Sequence, residues 1–121
     1  MSTSFIKAAV IYFLVGTVLG LVMGSTQAFE YTSVHAHINL VGWASLAIIG
    51  LIYKVYPDLG EAKLARIQFY LHNVGLPLLI ISMVIFARDN EALGIPFAAL
   101  GGLLIIVSAI LMAVNVFKRL R

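Results

Sequence analysis

Cysteine is absent from this chain, which excludes disulfide bridges and thiolate metal ligands. Charge is almost as scarce. Charged residues make up 11% of the 121 positions, with five acidic and eight basic side chains. Proline occurs three times and tryptophan once. What fills the chain instead is apolar: 62% of residues are hydrophobic, more than a water-soluble domain of this size can hide. The few charges form short islands, and the apolar runs between them match or exceed the roughly 20 residues that cross a bilayer core. The fold class this implies is all-α, an integral membrane four-helix bundle. The formal net charge of +3 comes from basic ends and one basic loop, a pattern of membrane orientation and not of nucleic-acid binding.

The hydropathy pattern predicts spans at about 5–25, 33–55, 67–86 and 94–117, forming one transmembrane domain over residues 1–121 with short loops. The first run reads as a retained span and not as a cleaved signal. It carries Gly16, Gly20 and Gly24, spacing that admits a close helix neighbour, expected within the same subunit. Ser33 is the expected N-cap of span 2, and Tyr56-Pro57 its stop. Pro77 predicts a kink near Asn73 in span 3. Pro96 suits the first turn of span 4, where Ala98 and Gly102 form a small-residue pair. Seven of the eight basic residues lie at the N-terminus, the second loop or the C-terminus, and only Arg88 lies elsewhere. The positive-inside rule then places both termini in the cytoplasm and the His35/His37 pair near the outer face. A bacterial inner membrane is the expected location.

Three histidines are the main chemistry-bearing residues, and ionisable groups inside a span mark function by default. His35 and His37 are two apart on one helix, about 200° in direction, so they face nearly opposite ways. One undistorted helix cannot bring both to one metal. It offers one imidazole to a partner on each side, whether a planar cofactor or a neighbouring subunit. The His35 face continues through Asn39, Gly42 and Gly50, and the His37 face through Val41 and Ala44. Both look slender enough for a flat ring. The ordinary alternative is that both rings sit near water and need no partner. His72, from the other side, lies roughly 15–20 Å in depth from His37 by rise per residue. An interhelical hydrogen bond is favoured for it over a ligand role. Neutral imidazole suits haem iron, zinc and copper. Zinc finds too few ligands here, whereas haem needs one or two axial ligands and an apolar slot.

The stretch VHAHINLVGWASLAIIGLIYKVYPD resembles the tenth helix of subunit I of the haem–copper oxidases, with its H-x-H motif, Gly-containing apolar run and terminal aromatic-Pro. The stretch ARIQFYLHNVGLPLLI, with Phe69 and Gly75, resembles the start of the helix that follows. The resemblance spans about residues 33–90. It implies that His35 ligates a high-spin haem and His37 a low-spin haem, with Arg88 near the haem propionates. It stops short of an oxidase. The chain has four spans where that subunit has twelve. The three further copper-site histidines and the cross-linked tyrosine have no match, so enzyme activity by this chain alone is not expected.

These readings lead to one principal expectation. The chain is a b-type haem-binding membrane protein for electron transfer or diatomic gas binding. Haem is held by the His35/His37 helix, with Asn39 and Gly42 lining it. The twelve helices of the family form three arcs of four, so a homotrimer joining His35 of one copy to His37 of the next is expected before a dimer pairing His37 with His37. A respiratory-chain redox partner would follow. The alternatives are a copper or haem handling protein for oxidase assembly, or a structural small subunit without cofactor.

Overall fold

The computed structural model describes residues 1–121. It is helical throughout, without strands. Helix α1 spans Ser2–Thr26. It stops at Gln27, whose φ of 59° is left-handed and whose N–H bonds back to the Met23 carbonyl, a common way to satisfy the last orphan carbonyls of a helix. A single 3-10 turn at Phe29–Tyr31 leads into α2 (Thr32–His37), a π-helical stretch (Ile38–Ala44) and α3 (Ser45–Val55). Together these form one continuous span over Phe29–Val55. Tyr56 then leaves helical geometry, and Pro57 opens the short helix α4 (Pro57–Gly60). Helix α5 (Lys63–Ala87) and helix α6 (Glu91–Arg119) complete the chain. Four helical segments are long and apolar enough to cross a membrane. Each extends beyond its apolar run, since helical hydrogen bonding continues into the flanking polar residues.

Several local expectations are revised. Ser33 is not an N-cap. The helix begins one residue earlier, Thr32 Oγ1 donates to the Phe29 carbonyl at 2.6 Å, and Ser33 Oγ points to Met83 Sδ at 3.6 Å. Pro96 lies in the second turn of α6, which starts at Glu91 with Asn90 Oδ1 accepting from the Leu93 N–H. Helix α5 includes Pro77 and continues to Ala87, as a proline-kinked helix also does. The close approach between α5 and α6 is at Gly75 and Gly101, while Gly102 of the small-residue pair faces away. A Cβ on Gly101 would lie 2.6 Å from the Leu79 nitrogen, while one on Gly102 meets nothing within 4 Å.

The π-helical stretch at Ile38–Ala44 has no marker in its local sequence. Two side-chain donors feed carbonyls inside it. Ser45 Oγ bonds the Leu40 carbonyl at 2.7 Å, five residues back, and His72 Nε2 bonds the Val41 carbonyl at 2.8 Å. A π turn shifts each amide donor by one residue along the chain, which frees carbonyl capacity for such side chains.

The spans pair as two hairpins, α1 with the second span and α5 with α6. A core of Phe5, Ala9, Leu46, Ile49, Tyr53, Leu59 and Ala65 joins them at one end. There the Phe5 ring stands edge-on to Tyr53 at 5.4 Å and to Phe69 at 5.1 Å, the favoured geometry for aromatic quadrupoles. Met1 and Val116 pack on the same core. Both termini and α4 therefore share one end of the bundle, and the His35/His37 pair lies toward the other. Only 24 of 121 residues are buried. Residues such as Leu14, Leu21, Leu40 and Leu103 form an exposed apolar surface, the reverse of a water-soluble domain and suited to lipid.

Candidate histidine site and the groove beside it

His35 and His37 leave the helix on different sides, as their spacing requires, and the two sides differ. The His35 side is covered by α1. Asn39 packs over Gly16, where a Cβ would lie 2.5 Å from Asn39 Oδ1, and the His35 ring lies over Gly20, where a Cβ would lie 2.8 Å from Cε1. Gly42 receives the Tyr12 ring and Gly50 receives Ile6 in the same way. The small residues on this face thus admit α1, not a flat cofactor, which corrects the expected slot at Asn39 and Gly42. The α1 stripe serves packing within the chain through Gly16 and Gly20, while Gly24 is open.

The ring nitrogens are assignable from their partners. His35 Nδ1 lies 2.9 Å from the Gly16 carbonyl and 3.2 Å from Asn39 Nδ2. A carbonyl oxygen can only accept, so Nδ1 carries the proton and donates to Gly16. The Asn39 amide donates instead to the His35 carbonyl at 2.9 Å. His37 Nδ1 lies 2.9 Å from the Ser33 carbonyl, one turn back, and by the same logic donates to it. In both neutral rings the lone pair is then on Nε2. A backbone acceptor on one ring nitrogen is how proteins orient the other toward a metal. His37 meets this condition on a side that α1 leaves uncovered. His35 meets it while enclosed against Gly20. The chain's own residues therefore fit an axial haem ligand at His37 and fit it poorly at His35.

His72 has a different task. It is 5% exposed, and its Nε2–H is committed to the Val41 carbonyl at 2.8 Å, leaving the lone pair on Nδ1. Val41 is one turn from His37, about 6 Å of rise. The depth separating His72 from the pair is thus well below the 15–20 Å expected from counting along straight spans. No group of three or more His, Asp or Glu side chains gathers to hold a metal.

Arg88 lies at the histidine end. Its Nη1 donates to the Tyr31 hydroxyl at 3.4 Å, just before the helix that carries the pair. Met83, which the sequence did not single out, is close to that helix through Ser33.

Below His37 the same helix face continues through Val41, Ser45 and Ile49 and borders a groove of about 490 Å³. Gln68 and His72 of α5 and the Ile105–Phe117 stretch of α6 form its other walls. Gln68 is 1% exposed. Its Oε1 accepts from the Tyr53 hydroxyl and its backbone carbonyl accepts from Ser108 Oγ at 3.2 Å. Its Nε2 has no partner, which for a buried amide costs about 1–3 kcal/mol. Deeper toward the termini, Asn115 Nδ2 donates to the Leu59 carbonyl at 3.0 Å, and its Oδ1 is also unpartnered. Sequence alone showed Gln68 only as a polar residue in an apolar run, the one signal by which it was detectable. No protein-family model, no curated protein and no solved structure matches the chain.

Proposed function

We propose that this chain is a b-type haem-binding integral membrane protein, with His37 as the principal axial ligand. One observation carries the reading. The Ser33 carbonyl holds His37 Nδ1–H at 2.9 Å, which leaves the Nε2 lone pair free on a half-buried ring, on the side of the helix away from the α1 glycines that enclose His35. Bound there, haem would supply a one-electron couple or, with one axial position open, a site for a gas such as nitric oxide or dioxygen. The protein's part is to orient the imidazole, to keep the site apolar and to place Arg88, beside Tyr31, near haem propionates. The resemblance of residues 33–90 to the H-x-H region of haem–copper oxidase subunit I supports the same ligand chemistry.

The copy-to-copy arrangement follows from which face is free. A ring joining His35 to His37 needs both faces open, and α1 covers the first. A two-fold dimer pairs identical residues, so His37 of each copy would meet the same haem. The histidine end is oriented to the outer face of a bacterial inner membrane, with both termini cytoplasmic, by the distribution of Lys and Arg. The test is the spectrum of the purified protein from haem-replete cells. A sharp split α/β band on reduction, lost in His37→Ala, supports the reading. Absence of visible absorption defeats it.

A second reading has its own observation. Met83 Sδ lies 3.6 Å from Ser33 Oγ, one turn from His37 on the same helix. A thioether on the neighbouring helix, one turn from an imidazole whose Nε2 is free, supplies two donor types that Cu(I) accepts, in keeping with copper handling for oxidase assembly. A colourless protein that takes up one Cu(I) per chain, and loses it in Met83→Leu, would replace the haem reading.

A further inference from the structure

The groove beside α5 combines features that packing alone does not require. Most of its wall is apolar, from Val41 and Ile49 to Ile105, Met112 and Val116. Its polar side chains are few, and two are one helical turn apart on α5. Gln68, 1% exposed, has an amide nitrogen with no partner. His72 has its Nε2–H bonded to Val41, so Nδ1 remains as an acceptor. Ser45 and Ser108 also line the groove, but their hydroxyls are committed to the Leu40 and Gln68 carbonyls. The uncommitted polar groups along this wall are therefore the buried Gln68 amide, which a turn of its side chain would present as a donor, and His72 Nδ1 as an acceptor. Along α6 the slot extends from Ile105 to Phe117, about 18 Å of helix.

We propose that this groove binds the head of a membrane-dissolved isoprenoid quinone or its hydroquinone. The Gln68 amide donates to a ring carbonyl, His72 Nδ1 accepts from a ring hydroxyl in the reduced form, and the tail follows α6. Depth selects this occupant over a phospholipid. His72 is nine residues into α5, about 13 Å along the helix from Lys63, whereas the ester carbonyls of a phospholipid stay at the hydrocarbon edge. A quinone head dissolves in the hydrocarbon and reaches that depth without drawing a headgroup with it. The proposal rests on the membrane reading and is independent of haem.

The test uses the full chain in phospholipid nanodiscs without added haem. The single tryptophan, Trp43, is two residues from Val41 of the groove wall, and quinones quench indole fluorescence. Titration with a decyl-chain benzoquinone is expected to quench Trp43 saturably. The Gln68→Leu variant should weaken that binding at least ten-fold, and Ala109→Phe, which fills the groove from α6, should abolish it. Linear quenching that is equal in all three proteins, the mark of simple partition into lipid, overturns the proposal. So does a tightly held phospholipid in native mass spectra that excess quinone fails to displace.

Discussion

His72 donates Nε2–H to the Val41 carbonyl across 2.8 Å, and that one bond ties α5 to the widened turn of the second span. It explains a buried histidine in an apolar helix without giving it a metal. A donor aimed at a carbonyl inside the bundle has no water to fall back on.

Replacing His72 by Leu removes the donor and leaves the Val41 carbonyl unpaired. A loss of about 0.6–2 kcal/mol is expected, the range for interhelical hydrogen bonds in membranes. Thermal or denaturant unfolding in detergent measures it. His72→Gln retains a donor and should recover part of the loss. The visible spectrum of haem-loaded protein should be unchanged in both. A spectrum that shifts in His72→Leu would make His72 a ligand and refute the assignment.

The glycines divide by what stands over them. On Gly101 a new Cβ meets backbone, 2.6 Å from the Leu79 nitrogen and 2.8 Å from the Gly75 carbonyl, and backbone cannot swing aside. On Gly20 it meets the His35 ring at 2.8 Å, and on Gly24 and Gly102 it meets nothing within 4 Å. Gly101→Ala is expected to cost about 1–3 kcal/mol, the usual range for overpacking, and Gly20→Ala less. Gly24→Ala and Gly102→Ala should be neutral or slightly stabilising, because alanine is the better helix former. Unfolding curves for the four variants give the order. Equal losses at Gly101 and Gly102 would contradict the packing.

The four helical segments were legible because apolar runs of bilayer length bounded by charge leave few alternatives. The Tyr56-Pro57 break was legible for the same local reason, a residue before proline that resists helix. Local pattern did not settle contacts between helices. Gly101 and Gly102 are adjacent and chemically identical, and only the rotation of α6 about its axis decides which one faces α5. The π turn depends on Ser45 and on His72, a residue 31 positions from its acceptor, so no window of sequence contains its cause. The i, i+2 spacing of His35 and His37 predicted opposite faces. It did not reveal that α1 occupies one of them.

That asymmetry separates the two histidines experimentally. His37→Ala should abolish haem binding, read as loss of the Soret band at normal expression. His35→Ala should keep the haem and lose stability, since it deletes the bond from Nδ1 to the Gly16 carbonyl at 2.9 Å. About 0.6–2 kcal/mol is the expected cost. Loss of haem in His35→Ala with an unchanged unfolding midpoint would restore His35 as a ligand and, with it, the three-fold ring.

Tyr53 and Gln68 test the cost of an unpaired amide. The Tyr53 hydroxyl donates to Gln68 Oε1, and both side chains are buried. Tyr53→Phe leaves Oε1 unpaired beside an Nε2 that already has no partner, so the loss should be about 1–3 kcal/mol. Gln68→Leu alone strands the Tyr53 hydroxyl and relieves the unpartnered nitrogen, and its net cost should be smaller. The double variant removes both partners together, and replacing both members of a buried polar pair by apolar groups is close to neutral. It should therefore be more stable than Tyr53→Phe, a coupling that a double-mutant cycle reads directly. Strict additivity of the two single losses would mean that the hydroxyl and the amide do not pair.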